Sequence, residues 1–494
     1  MGRDWRDDRI AELEGKLEAA LARISTLEAA LAKTVALDAK FEAALTKIAA
    51  LEEKLRLSSR NSSKPPSSDP PSAPKPPAKK PSGRKPGGQP GHEGHQRALV
   101  PADEVDKRVS CRPDRCRRCH AGLTGCDASP RLHQVFELPK VKPFVTQYEL
   151  HALVCPSCGT RTAAELPDGV PAGAFGPSVT AVVALLMGVY RLGKRPVEML
   201  MADLYGLTMC VGSVVSCQEQ AASALEVPHA EAHAYVMVQP VKHADETGWR
   251  EARTRAWLWT AVTSFVTVFL VQARRNTDAA RVLLGDVCGV LITDRWGAYG
   301  WWADLARQLC WAHLKRDFIK IQERGGQDAI LATALLAERD QMFVWWHRVR
   351  DGTLARSTFR RYMKPLQNRV YHLLGDGMEH GSAKTMKTCR LLRKHVDALW
   401  TFVYREGVEP TNNAAELRIR HPVLWRKTSY GTHSPEGSRF VERVLTVHAT
   451  LRQQNRSVLD FLHDACVARL NHAPPPSLLP QRPSAASAML AHAA

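Results

Sequence analysis

The sequence has no long hydrophobic run and no apolar stretch at its start. Its most apolar segment, SVTAVVALLMGVY at 178–190, ends at Arg191 and is shorter than the roughly 20 residues that a membrane-spanning helix needs. The first residues, MGRDWRDDRI, are charged and lack the features of a secretory signal. Without such a signal, the 12 cysteines are expected in a reducing compartment, where paired cysteines bind metals more often than they form disulfides. We therefore expect a cytoplasmic protein.

Acidic residues are in deficit. Among 494 residues, 50 Asp and Glu face 68 Lys and Arg, which gives a formal net charge of +18. This excess favours a polyanionic partner, and nucleic acid is the commonest one, although a basic surface that is merely solvated gives the same count. The length is typical of about three domains.

A heptad-like spacing of apolar residues covers residues 8–57. The seam consists of Ile10, Leu13, Leu17, Ile24, Leu27 and Leu31 and, after a slip near Thr34, of Leu37, Phe41, Leu45, Ile48 and Leu55. This pattern predicts a coiled coil, and self-association follows if the coil forms. A single amphipathic helix packed on the rest of the protein is the alternative, because the register slips.

Residues 58–104 follow as a predicted disordered, basic linker. The stretch at 58–97 is dense in Pro, Ser, Gly and Lys and has too few apolar residues to bury a core. Its lysines and arginines have few acidic neighbours, so the linker could lie along phosphates without reading bases. A plain spacer is an equally good interpretation.

Two CxxC pairs predict a zinc site in residues 105–165. Cys116 and Cys119 form the first pair, and Cys155 and Cys158 form the second. A β-rich segment between the pairs, containing HQVFELPKVKPFVTQYELHALV, is expected to form a hairpin that brings four thiolates around one tetrahedral ion. Other potential ligands nearby are Cys111, Cys126 and His120, and four unliganded thiols are the alternative.

Residues 170–230 are predicted to be helical. A helix, a break at Gly206 and a second helix beginning near Ser213 resemble a helix-turn-helix, whose second helix enters a major groove of DNA. A helical hairpin that serves only for packing has the same pattern.

Beyond residue 235 the sequence changes to strands, and two of these carry carboxylates. VQPVKHAD leads to Asp245, a hairpin and a helix follow, and the apolar run VCGVLITD ends on Asp294. These elements are expected to place both acids at the ends of adjacent strands, where ligands of mixed α/β sheets gather. A surface-turn role for Asp245 is the alternative, and Glu246 and Asp317 are rival acids.

Neighbouring carboxylates repel each other unless they share a cation. Their oxygens favour Mg²⁺ or Mn²⁺, and two such ions about 4 Å apart can serve both the attacking and the leaving oxygen at a phosphodiester. A third acid is needed, and Glu416 is the best candidate, one turn into a helix that begins near Asn412 and Asn413. Lys427 and nearby arginines would hold phosphates close.

HADET, LITDRWGAY, CWAHLKRDF and NNAAELRIR look like the successive motifs of the insertion-sequence-66-type transposases. SSRNSSKPPSSD and RKPGGQPGHEGH resemble the linker of that family. The zipper, the paired cysteines and TLRQQNRSVLDFL match its other regions in order, so the resemblance covers the chain up to about residue 470. One departure is the first cysteine pair, CRRCH, where the family usually has a turn with Pro and Gly.

The resemblance implies a ribonuclease-H-like DDE catalytic core at 235–450, with Asp245, Asp294 and Glu416 as its metal-binding triad. Residues 320–400 are predicted to be a helical, basic insertion into that core, followed by a C-terminal helix at 451–472 and a disordered tail at 473–494. The predicted fold class is therefore multidomain α+β: a coiled-coil helix, a small zinc-binding β domain, a helical DNA-binding segment and the α/β core with its insertion. In CWAHLKRDF, Lys315 and Arg316 are candidate phosphate contacts, and His313 either positions the site or only packs.

The function implied is a DNA transposase that cuts at element ends and joins the freed 3′-OH to target DNA. Its expected partners are double-stranded DNA at element ends and targets, further copies of the chain, and accessory proteins encoded by the element. Its expected cofactors are catalytic Mg²⁺ or Mn²⁺ and structural Zn²⁺, and its expected location is the nucleoid. A DNA-binding regulator with an inactive core is one alternative, and a zinc-and-coil oligomerisation protein without DNA affinity is another.

Overall fold

The computed structural model describes residues 5–55, 57–62, 69 and 97–480. Its helices are α1 Trp5–Leu55, α2 Pro177–Gly188, α3 Lys194–Tyr205, α4 Val211–Ala224, α5 Glu226–Met237, α6 Thr277–Leu284, α7 Trp311–Gln322, α8 Gly326–Arg350, α9 Arg356–Glu379, α10 Ala383–Lys394, α11 Thr401–Tyr404, α12 Asn413–Ser429, α13 Pro435–Gln453 and α14 Val458–Leu470. Its strands are β1 Ala152–Val154, β2 Arg161–Ala163, β3 Val241–Glu251, β4 Thr254–Val262, β5 Thr267–Gln272, β6 Val290–Thr293 and β7 Arg307–Leu309. This mixture of helices and sheet agrees with the predicted α+β class.

The chain divides into two compact units. The first comprises Met1–Ala73, Pro228–Arg456 and Ser477–Ala494, and the second comprises Pro74–Val227 and Ser457–Pro476. Parts of the predicted linker and tail, residues 63–68, 70–96 and 481–494, lie outside the described residues.

The first unit contains a five-stranded sheet with the order β5-β4-β3-β6-β7. β3, β4 and β5 form an antiparallel meander, and β6 and β7 run parallel to β3. Every residue of the apolar strand β6 is buried, because β6 has neighbours on both edges and helices over the sheet. The two strands that carry the predicted acids are therefore parallel neighbours.

The prediction that β3 ends at Asp245 is wrong. The strand continues to Glu251, because residues beyond Asp245 pair with β4 as far as the register Glu251–Thr254. What ends near Asp245 is the pairing with β6, whose last register pair is His243–Ile292. The polar residues that follow Asp245 therefore form one side of a hairpin.

The region between β7 and α12 is helical. α7 to α10 pack together, and their apolar side chains share one core with Val290, Ile292 and Leu309 of the sheet. The helices of the predicted insertion at 320–400 thus extend the core of the first unit.

α1 is one continuous helix whose apolar seam stays exposed. Leu17, Leu27 and Leu37 are 61%, 63% and 66% accessible. In the part of the chain that the structure describes, the ion pairs between α1 and the rest of the first unit lie at the end of the helix, where Glu53 pairs with Lys320 and Lys384. The packing of the whole helix on the body, which was the alternative to a coiled coil, is therefore not observed in the described residues.

The second unit contains α2, α3, α4 and α14. Gly206 ends α3 in a left-handed conformation (φ 64°), as the predicted break requires, and α4 begins at Val211. α14 packs against α2 and α4, so the C-terminal helix joins the helical segment at 170–230.

The segment before β1 is not β-rich. Residues 130–151 have no regular secondary structure, and Leu138, Phe144 and Val145 are at least 82% accessible. Pro139 and Pro143 remove backbone donors from any ladder there, so alternating apolar residues did not suffice for the predicted hairpin.

None of the described helices combines the length and the apolar character that crossing a membrane requires.

Candidate active site and metal-binding residues

Three elements of the first unit bring the predicted acids together. Asp245 lies on β3, Asp294 follows the last residue of parallel β6, and Glu416 lies in the first turn of α12. α12 packs along β3, where Arg426 donates to Thr247 Oγ1 at 3.0 Å and to the Gly248 carbonyl.

The charges of these acids act on one another. Burial raises the pKa of Asp245 well above its ordinary value, and the negative charges of Glu246, Asp294 and Glu416 raise it further. The backbone N–H of Glu246 opposes this rise by donating to Asp245 Oδ1 at 2.9 Å. Among the described residues, no cation forms an ion pair with Asp245 or Asp294. Two neighbouring carboxylates that form no ion pair of their own, with a third carboxylate close by, fit divalent cations.

The first rival acid, Glu246, is neutralised by a cation of the protein. Its Oε1 accepts from Arg275 Nε and Nη2 at 2.9 and 2.6 Å, and its Oε2 accepts from the Tyr299 hydroxyl at 2.6 Å. Burial and the charge of Asp294 raise the pKa of Glu246, whereas the Tyr299 and Arg275 contacts lower it. Both of its oxygens are thus engaged, which leaves Asp245 better suited to bind a metal.

The second rival acid, Asp317, is paired in the same way. Arg295 donates to its Oδ2 and Oδ1 at 2.6 and 2.9 Å, and such bidentate pairs are strong. By contrast, Asp294 Oδ1 accepts only from the backbone N–H of Trp296, at 2.9 Å, among the contacts of the described residues.

Asn412, which sequence reasoning treated only as a helix start, connects these elements. Its Nδ2 donates to the Ala244 carbonyl at 2.8 Å, and its Oδ1 lies 3.1 Å from His243 Nδ1. Its backbone N–H donates to Cys310 Sγ at 3.1 Å, and its carbonyl accepts the N–H of Glu416 at 3.1 Å. Asn412 is 1% accessible, so these bonds are shielded from water.

The protonation state of His243 determines which atom donates in its hydrogen bond with Asn412. Burial lowers its pKa to about 4, so the ring is neutral at physiological pH. Because Asn412 Nδ2 already donates to a carbonyl, its Oδ1 faces the ring and His243 Nδ1 is the donor. No spacing rule in the sequence signals this pair.

His313 and Arg316 of α7 lie beside Glu416. His313 Nδ1 is 3.3 Å from Glu416 Oε1, and Arg316 Nη2 is 3.5 Å from Glu416 Oε2. Arg316 therefore faces the carboxylate, while two other predicted phosphate contacts, Lys315 on α7 and Lys427 on α12, are exposed.

The first cysteine pair forms a tight turn. Cys116 N–H donates to the Ala121 carbonyl at 2.9 Å, and His120 N–H donates to the Cys116 carbonyl at 3.0 Å. Backbone N–H groups of Cys119 and Arg118 lower the pKa of the Cys116 thiol, which favours the thiolate form that binds zinc.

The second pair has the same turn. Cys155 N–H donates to the Thr160 carbonyl and Gly159 N–H donates to the Cys155 carbonyl, both at 2.9 Å. Gly159 has φ 73°, and His120 has φ 57° at the equivalent place. The first turn therefore has the same left-handed backbone conformation, although a histidine stands where the second turn has glycine. Hydrogen bonding with the side chain and the backbone of Thr160 lowers the pKa of Cys158. Each turn therefore has the local geometry that a two-cysteine zinc hook needs.

The four cysteines are not gathered around one point. Within the described ranges, the only group of three or more His, Cys, Asp or Glu with ligand atoms within 4.8 Å of one another is Cys310, His313 and Glu416. Cys111, Cys126 and His120 belong to no such group. The local turns fit zinc, whereas the arrangement of the pairs does not show the predicted four-thiolate site.

A family model described as the transposase IS66 family matches residues 172–439, more than half of the chain. The match contains Asp245, Asp294 and Glu416 but neither cysteine pair. A second model, described as a family of unknown function (DUF6444), matches residues 6–98. Among curated proteins, no match was found. From the extent of the first match, the chain belongs to the IS66 family of transposases.

Proposed function

We propose that this chain cuts DNA at the ends of an insertion element and transfers the freed 3′-OH strand to target DNA. The observation that carries the proposal is a pair of acids, Asp245 and Asp294, on or directly after parallel neighbouring strands. Neither acid forms an ion pair among the described residues, and Glu416 on α12 is close enough for its charge to act on Asp245. The strand order supports a ribonuclease-H-like core, with an antiparallel meander continued by two parallel strands.

In this proposal Asp245, Asp294 and Glu416 hold two divalent cations. Bound Mg²⁺ or Mn²⁺ would polarise the phosphodiester and stabilise the attacking and leaving oxygens. The protein positions the carboxylates before the substrate binds, because they lie on a sheet and on α12, which packs against that sheet. Lys315 and Lys427 are proposed to contact phosphates, as their exposure on α7 and α12 allows.

A DNA-binding regulator with an inactive core is the alternative, and one experiment separates the two. A duplex carrying the element's terminal repeat is incubated with the protein and Mg²⁺, Mn²⁺ or EDTA, and both gel shift and strand cleavage are measured. A transposase binds in all three conditions and cleaves only with metal. Binding without cleavage in any condition would support the regulator.

We further propose that each cysteine pair contributes two ligands to one structural zinc ion. The matching turns and the lowered pKa values of Cys116 and Cys158 support this. Elemental analysis should show about one more zinc per chain in the wild type than in a Cys116→Ser/Cys155→Ser variant. Equal zinc contents would contradict the proposal.

The exposed seam of α1 supports self-association through a coiled coil. Leu17→Asp together with Leu27→Asp should lower the mass measured by light scattering, because charges at seam positions oppose helix pairing. Lys16→Asp leaves the seam intact and serves as the control. An unchanged mass in the seam variant would argue against the coil. Accessory proteins and a nucleoid location remain predictions from the family resemblance.

A further inference from the structure

Cys310, His313 and Glu416 combine three kinds of metal ligand. One atom of each residue, Cys310 Sγ, a His313 ring nitrogen and a Glu416 carboxylate oxygen, lies within 4.8 Å of the other two. A thiolate, an imidazole and a carboxylate are ligands that Zn²⁺ and Co²⁺ accept together, whereas Mg²⁺ prefers oxygen ligands alone.

Two of these ligand atoms have no hydrogen-bond partner among the described residues. They are His313 Nδ1 and Glu416 Oε1, which are both buried and lie 3.3 Å apart. A buried polar atom without a hydrogen-bond partner destabilises the folded state. A cation bound between them would provide a partner for both atoms. Their lack of hydrogen-bond partners therefore points to a cation independently of the short distances among the three residues.

The backbone holds the three residues in place. Cys310 is the N-cap residue of α7, and His313 lies three residues further along, so the two side chains are neighbours on the same face of the helix. The start of α7 is joined to the segment preceding α12 by Trp311 N–H to the Pro410 carbonyl at 2.9 Å, in addition to the contact between Asn412 N–H and Cys310 Sγ. The separation of Cys310 and His313 from Glu416 is thus fixed from both helices, as a preformed site requires.

We propose that Cys310, His313 and Glu416 form a transition-metal site for Zn²⁺ or Co²⁺, adjacent to the magnesium site and sharing Glu416 with it. The three protein ligands leave a fourth position of a tetrahedral ion for water or a substrate oxygen. Because Glu416 serves both sites, Zn²⁺ binding withdraws it from the triad and inhibits magnesium-dependent cleavage. This inhibition rests on the proposed function, whereas the binding itself does not.

Co²⁺ is the probe for binding, because its thiolate charge-transfer and d–d absorptions report tetrahedral sulfur coordination. The full chain is titrated with Co²⁺ and compared with Cys310→Ser, His313→Gln and a control, Cys389→Ser, which changes another buried thiol. Cys310→Ser and His313→Gln should each bind about one Co²⁺ fewer per chain than Cys389→Ser does. The cysteine pairs at 116–119 and 155–158 are unchanged in all variants, so their contribution cancels.

Circular dichroism and gel shift identify any variant that fails to fold. If Cys310→Ser is unstable, the Co²⁺ binding of His313→Gln still tests the proposed site. Equal Co²⁺ binding by both site variants and the control would overturn the proposal. For inhibition, Zn²⁺ should reduce magnesium-dependent cleavage at least tenfold more in the wild type than in Cys310→Ser. If the wild type binds Co²⁺ through Cys310 but never cleaves DNA, the proposed function fails and the metal site stands.

Discussion

Asp245→Asn is expected to reduce metal-dependent strand cleavage by several orders of magnitude and to leave DNA affinity unchanged or slightly higher. The change keeps the shape of the side chain but removes the carboxylate on which the charges of both Asp294 and Glu416 act. Groups that act as one catalytic unit cause losses of this size when one is removed. DNA affinity depends mainly on lysine and arginine and should not fall. Asp294→Asn and Glu416→Gln should behave in the same way.

Asp317→Asn is the matched control for that experiment. It also converts an aspartate to asparagine in the first unit, but Asp317 is paired bidentately with Arg295. Glu246→Gln, with its oxygens bound to Arg275 and Tyr299, should likewise be much milder than Asp245→Asn. Normal cleavage by Asp245→Asn, or an inactive Glu246→Gln beside an active Asp245→Asn, would show that another carboxylate binds the metal.

The same variant has a stability signature. Because the pKa of Asp245 is raised in the folded protein, the folded state holds this proton more tightly than the unfolded state does. Wild-type stability should therefore fall as the pH rises above 3.8, the ordinary pKa of aspartate, towards the raised value. Asp245→Asn lacks this slope, so in EDTA its Tm advantage over the wild type should grow with pH, by roughly 2–4 °C per kcal/mol. Mg²⁺ should raise the Tm of the wild type more than that of the variant.

Asn412→Ala should reduce cleavage about 100-fold through misplacement of Glu416 relative to Asp245. The variant leaves the Ala244 carbonyl and His243 Nδ1 without their buried partner, and it loosens the start of α12. Asn412→Asp should be at least as damaging, because a carboxylate cannot donate to the Ala244 carbonyl. The Mg²⁺ concentration for half-maximal cleavage should rise in both variants, since a displaced carboxylate binds the ion less well.

Asn413→Ala is the control for Asn412, because the adjacent asparagine is exposed at the first position of α12. It should retain both the cleavage rate and the Mg²⁺ dependence. A fall in melting temperature without any change in Mg²⁺ dependence for Asn412→Ala would reduce Asn412 to a stability role.

The sequence was informative where a pattern repeats or a single residue restricts the backbone. The apolar run before Asp294 predicted the buried strand β6, and Gly206 predicted the end of α3. Glu416 was predicted one turn into a helix that begins near Asn412 and Asn413, and it lies in the first turn of α12.

Features that depend on distant partners could not be predicted. The continuation of β3 beyond Asp245 depends on pairing with β4, and the irregular segment around Phe144 depends on the absence of a packing partner among the described residues. The roles of His243 and Cys310 arise because Asn412, more than 100 residues away in sequence from each of them, returns to contact both.

The packing of α14 against α2 and α4 affects the order in which the protein can be made. The second unit is interrupted by Pro228–Arg456 and takes its last helix from Val458–Leu470. During synthesis, α2 and α4 leave the ribosome with part of their apolar surface uncovered, because α14 is translated only after Pro228–Arg456 of the first unit. A messenger cut short after residue 456 would therefore encode all three proposed catalytic acids but only an incomplete second unit.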